Sequence, residues 1–162
     1  MKNIKFEDRK SVQEIEEGKK FSPKFDNNGL IPCITTHSKT KEILMFSYMN
    51  KKALKETILT RFAHYWSRSR QSIWKKGETS GMFHNIKKIL IDDDQDSILL
   101  EVTLTLPKLG GSEASCHVGY RSCFYRELKL ASDNTINLKF TEKKKVFDPK
   151  VIYQNIKNPT QI

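Results

Sequence analysis

Cys116 and Cys123 bracket the segment CHVGYRSC, a dense run of side chains capable of chemistry. On a straight helix the two would share a face yet lie roughly 10 Å apart along the axis, at about 1.5 Å per residue. A disulfide needs Cα atoms within about 7 Å. In an extended strand the gap would be roughly 23 Å, at about 3.3 Å per residue. The sulfurs can meet, or share a metal, only if the chain turns between them, and Gly119 is the residue suited to that turn. From spacing alone, two independent buried thiols stay an equal alternative. Cys33, alone in an apolar run, reads as core packing.

The stretch Asp92-Asp93-Asp94-Gln95-Asp96 puts four carboxylates in five residues. In extended backbone Asp92, Asp94 and Asp96 project to one side and Asp93 to the other. That pattern suits a hard cation such as magnesium, which prefers oxygen ligands, or else a solvated turn. It lacks the glycine and final glutamate of a calcium loop. Trp66-Ser67-Arg68-Ser69-Arg70, followed by Trp74, Lys75 and Lys76, joins guanidinium forks and hydroxyls suited to phosphate with indoles that can stack on a base. The same mixture fits a single-stranded nucleic-acid groove, or two core tryptophans with outward arginines. Gly77-Glu78-Thr79-Ser80-Gly81 is a glycine-bracketed loop whose N–H groups and hydroxyls suit phosphate, without the lysine of a nucleotide-triphosphate loop. His117 and His64 lie inside the dense segments and are the candidate catalytic histidines, with Arg121 a further candidate substrate contact. His37 and His84 read as ordinary polar positions.

These groups need a scaffold. Residues 14–18 suggest a short helix ending at Gly18; residues 30–37 and 42–49 read as strands; Asn50 is a good N-cap for a helix over 51–60 with Ala53, Leu54, Thr57 and Ile58 on one face. Residues 64–70 read as a strand followed by a basic turn. Residues 86–92 and 97–106 read as paired strands joined by the acidic turn, and 124–130 and 135–140 as another pair joined at Ser-Asp-Asn. The last twenty residues are lysine-rich, with a short helix and a loose end as the expectation. The fold class is α+β: one β-rich domain with a few short helices. Its divisions are a charged extension at 1–25, the main domain at 26–130, and a strand with a lysine-rich tail at 131–162.

A chain of 162 residues can bury a real core in one domain, and 37% hydrophobic with 30% charged residues is a globular composition. Apolar runs of three or four residues exclude a membrane helix, and the charged start has no secretory apolar region. Three cysteines without a signal point to the reducing cytoplasm. The net charge of +10 favours anionic partners.

Taken together, residues 42–126 resemble the phosphoribosyl-AMP cyclohydrolases, the histidine-biosynthesis family that opens adenine between N1 and C6. The matching text is Ile43-Leu44-Met45 with Tyr48-Met49-Asn50, HYWSRSR, WKKGETSG, the spaced aspartates, and CHVGYRSCFYR. The resemblance implies an intertwined homodimer with sites at the subunit interface. It implies magnesium at Asp92, Asp94 and Asp96, and zinc on three cysteines, two of them Cys116 and Cys123, as the source of activated water. It also implies that the basic and hydroxyl-rich segments hold a phosphorylated purine nucleotide with two phosphate groups. The family's remaining zinc cysteine falls at Asp93, a harder ligand than thiolate. Met82 and His84 stand where the family commonly has Asn and Gln, and the connection over 104–115 is several residues longer.

Two other functions stay open at this point. One is a diverged metal-dependent cyclohydrolase or deaminase for another purine-like nucleotide. The other is a basic nucleic-acid-binding module without catalysis, which the clustered carboxylates disfavour.

Overall fold

The computed structural model describes residues 4–154 and 156. A six-stranded sheet in the order β4-β3-β2-β1-β6-β5 carries the main core. Strand β1 (Leu30–His37) lies inside it, antiparallel to β2 (Ile43–Asn50) and parallel to β6 (Ile98–Leu104). Its LIPCITTH sequence is buried at Leu30, Ile31, Cys33 and Thr35, as a central strand of apolar and β-branched residues requires. Strand β6 alternates instead: Ile98, Leu100, Val102 and Leu104 are buried between half-buried Leu99, Glu101 and Thr103. β5 (His84–Ile91) pairs antiparallel with β6, as the sequence pattern predicts, but starts two residues before the expected 86 because His84 pairs with Leu104.

Helix α2 (Lys51–Thr60) follows β2 directly. The Asn50 side chain accepts from the Ala53 N–H at 2.8 Å, the cap that the sequence implies. Ala53, Leu54 and Thr57 are buried and Ile58 packs beside them, so the predicted face is the one that docks. Arg61, left-handed at φ 60°, turns the chain into β3 (His64–Ser67). β3 pairs with β4 (Ser72–Lys75), a strand absent from the sequence reading; it forms because Trp74 stands opposite Tyr65, with rings 5.3 Å apart.

From residue 4 onward the charged first segment packs on the main sheet. Its short helix α1 (Val12–Glu16) ends as expected near Gly18, and Phe6, Phe21 and Phe25 pack on the sheet's core. Strands β7 (Arg126–Leu130) and β8 (Ile136–Phe140) form a separate two-stranded hairpin, which crosses the 130/131 division drawn from sequence. Near the C-terminus, α3 (Pro149–Ile152) and Phe147 join Met82 and Ala114 in a second small core. The rest of the expected loose end, residues 155 and 157–162, lies outside the described residues. Among the described residues no helix is long and apolar enough to cross a membrane.

Candidate active site

The chain turns where the thiol geometry demands. Ser115 N–H donates to Arg121 O at 2.8 Å, Cys116 N–H to Tyr120 O at 3.3 Å, and Gly119 N–H back to Cys116 O at 3.2 Å. Gly119 has φ 107°, and a Cβ there would sit 2.9 Å from Phe147 O, so only glycine fits. The far end is pinned to β2: Cys123 N–H donates to Leu44 O at 2.8 Å, and Ser122 Oγ to Ile43 O at 2.7 Å. Glu142 takes the Arg121 and Ser122 N–H groups at 2.8 and 2.9 Å.

This turn brings the two sulfurs into contact. A hydrogen bond from Cys123, helped by the Lys76 charge, outweighs burial and draws Cys116 down to about 7. The pair therefore sheds one proton near neutrality, and Cys123 is held up by the adjacent thiolate. Burial in turn lowers Lys76 to about 8, partly offset by the thiolates beside it. Cys33 is different: burial pushes it up to about 12, the inert core thiol that the sequence implies.

Cys123 opens on a cavity of about 690 Å³, with Cys116 buried behind it. Trp66, Ser67, Arg68 and Arg70 come from the β3–β4 hairpin, and Lys76, Glu78, Thr79 and Ser80 from the glycine-bracketed loop. Gly77, at φ 93°, and Gly81, at φ 83°, close that loop through a 2.7 Å bond from Gly81 N–H to Gly77 O. His117 and Cys123 complete the predicted residues on the wall. Arg68 lies 4.3 Å over the Tyr48 ring, which fixes its guanidinium at the rim. Among the described residues six cations line the cavity (Arg68, Arg70, Lys75, Lys76, Lys145, Lys150) against one carboxylate, Glu78.

Other predicted residues are not on that lining. Ser69 only approaches Ser67, with hydroxyls 3.4 Å apart. His64 directs Nδ1 to Phe62 O at 2.9 Å. Arg121 is occupied by Glu42 at 2.6 Å and Glu113 at 3.6 Å. Lys145, Lys150 and Tyr153 line the cavity from the tail, which the sequence reading left without a role. Lysine runs have no pattern that distinguishes a wall from a solvated surface.

The acidic turn forms a second cluster. Asp92, Asp94 and Asp96 each offer an oxygen, all within 4.8 Å of one another, the donor set and spacing of a hard-cation site. Asp93 is exposed and belongs to no such group with the thiols within one chain, among the described residues. The turn is held from the N-terminal segment. Gln95, buried and left-handed at φ 59°, accepts from Ser22 N–H at 2.7 Å and donates to Ile15 O at 3.0 Å and Lys20 O at 3.2 Å. Lys24 spans Asp94 and Asp96 at 3.5 and 3.3 Å. Gln95 escaped the sequence reading because it was the uncharged residue among aspartates.

A cationic, indole-bearing cavity with Cys123 in its wall and Cys116 behind it is the equipment of an enzyme for a phosphorylated nucleotide. The family model for phosphoribosyl-AMP cyclohydrolase matches residues 45–125. A phosphoribosyl-AMP cyclohydrolase of Chelativorans sp. (strain BNC1) is 48% identical over 122 residues, covering 75% of this chain and 84% of that protein. Those of Agrobacterium fabrum and Methanococcoides burtonii are 43% and 47% identical, covering 87% and 80% of this chain and 90% and 94% of theirs. The chain belongs to the phosphoribosyl-AMP cyclohydrolase family.

Proposed function

We propose that the chain hydrolyses the N1–C6 bond of phosphoribosyl-AMP in histidine biosynthesis, as a homodimer that uses zinc and magnesium. The observation that carries this is the cavity itself, where among the described residues six cations and two indoles surround Cys123, the partner of Cys116. Arg68, Arg70 and the Ser67, Thr79 and Ser80 hydroxyls would hold the two phosphate groups, and Trp66 or Trp74 would stack on the base. Such a site gathers charge on one concave face, which favours a small doubly phosphorylated nucleotide over a long polyanion.

Cys116 and Cys123 would hold zinc, and the three alternate aspartates magnesium; zinc so held supplies water acidified to neutral pH. Asp93, exposed and apart from the thiols of its own chain, would complete the zinc ligands from a second copy. His117, on the wall beside Cys123, would deliver a proton to the departing N1, a role for which its place in the cavity favours it over His64.

The β7–β8 hairpin supports the dimer. Leu128, Leu130, Ile136, Leu138 and Phe140 share one face, and each is 49–73% exposed, while Glu127, Lys129, Asn137 and Lys139 take the other. An isolated two-stranded hairpin with a bare apolar face is marginal in water, so a second copy is the natural cover. Incubation with phosphoribosyl-AMP, followed by absorbance, tests the activity. Ring opening by the wild type and its loss in Cys116→Ala support the proposal; no turnover by metal-loaded protein refutes it.

A further inference from the structure

A line of buried polar side chains runs from the sheet to the cavity, and nothing in the proposed chemistry uses it. Thr35 Oγ1 and the Tyr65 hydroxyl are 2.8 Å apart, Tyr65 and His84 Nδ1 3.0 Å, and His84 Nε2 and Ser115 Oγ 3.1 Å. Thr35, Tyr65 and His84 are fully buried, and Ser115 is 3% exposed. Ser115 lines the cavity and immediately precedes Cys116.

The chemistry of the groups sets the direction of these bonds. An imidazole nitrogen is the best neutral acceptor in the line, and a phenol is a better donor than acceptor. Tyr65 therefore donates to Nδ1 and accepts from Thr35. That leaves the His84 proton on Nε2, donated to Ser115 Oγ. With its oxygen accepting from His84, the Ser115 hydroxyl keeps its own proton for the cavity. Burial, with the nearby Lys76 charge, holds His84 neutral, as this arrangement requires.

We infer that Ser115 donates a hydrogen bond to an acceptor on the substrate's purine ring, and that His84 is the positioning residue that fixes its hydroxyl for that purpose. The ring is assigned because Ser115 sits beside the thiol pair, the part of the cavity where the bond is to be broken. The inference rests on the nucleotide substrate proposed above.

Four variants test it: Ser115→Ala, His84→Gln, His84→Leu and the double His84→Leu/Ser115→Ala. Glutamine can accept from Tyr65 through Oε1 and donate to Ser115 through Nε2, so it keeps the pattern. Loss of one such hydrogen bond corresponds to about tenfold in kcat/KM. Ser115→Ala and His84→Leu should each fall about tenfold with zinc content unchanged, His84→Gln should stay within about threefold of wild type, and the double should fall no further than either single. Ser115→Ala at wild-type kcat/KM, His84→Gln as impaired as His84→Leu, or additive losses would overturn the inference. Should His84→Leu fail to fold, Ser115→Ala and His84→Gln alone decide it. If the wild type opens no ring, the proposed substrate fails, and the donor is then read from calorimetric affinity for AMP: about tenfold weaker in Ser115→Ala supports it, and unchanged refutes it.

Discussion

Gln95→Ala should release the N-terminal segment from the acidic turn. The Gln95 side chain makes three hydrogen bonds to the backbone of that segment, at Ser22, Ile15 and Lys20, and it is 5% exposed. At about 1 kcal/mol net for each bond, the expected loss is about 3 kcal/mol. The substitution adds no backbone strain of its own, since the left-handed glutamine already bears that cost. The Arg9 bond to Asp94 O at 2.8 Å and the Lys24 N–H bond to Gln95 O at 2.8 Å survive, so the effect is local loosening rather than collapse. A 3 kcal/mol change raises the open population about 100-fold. Trypsin under native conditions reads this at Lys19 and Lys20: cleavage there should accelerate by about that factor, with little change at sites on the sheet. Because the same turn carries Asp92, Asp94 and Asp96, magnesium affinity measured by calorimetry should fall as well. Native-state cleavage within about twofold of wild type would refute the assignment of Gln95 as the clamp.

Three further predictions follow from other parts of the molecule. His84 stays neutral in the folded state at pH values where the unfolded chain, with a histidine pKa near 6.5, binds a proton. Stability should therefore be flat above about pH 6.5 from this group and fall by up to about 1.4 kcal/mol per unit below it; urea titrations from pH 7 to 5 should show a steeper loss in wild type than in His84→Gln. Leu128→Asp with Leu138→Asp places charge on the bare hairpin face, and sedimentation should shift from dimer to monomer without loss of the sheet's circular dichroism. Arg68→Ala removes a cavity cation and its stacking on Tyr48, so KM for phosphoribosyl-AMP should rise about tenfold, with a smaller change in kcat.

Local rules made much of the scaffold legible. Asn50 before an amphipathic stretch marked α2, and the acidic turn between two strand-like runs marked the β5–β6 pair, because both signals lie within a few consecutive residues. Gly119 was readable as the turn between the cysteines because their sulfurs meet only if the chain turns, and glycine is the residue suited to that turn. Strand β4 was not readable: Ser72–Lys75 is four residues long, and its identity comes from the partner strand rather than from its own pattern. His84 looked ordinary because its partners, Tyr65 and Ser115, are 19 and 31 residues away in sequence. Arg121 carried the charge of a phosphate ligand, but Glu42 and Glu113 satisfy it. The tail's contribution to the cavity, through Lys145, Lys150 and Tyr153, follows from Phe147 docking beside Met82, a contact that composition does not encode.

Mass spectrometry of the product formed from phosphoribosyl-AMP by the metal-loaded wild type tests the central claim most directly. Ring opening predicts a product heavier by one water, with every nitrogen retained, and no such product from Cys116→Ala. An unchanged substrate, or a product that has lost ammonia, would contradict cleavage of the N1–C6 bond.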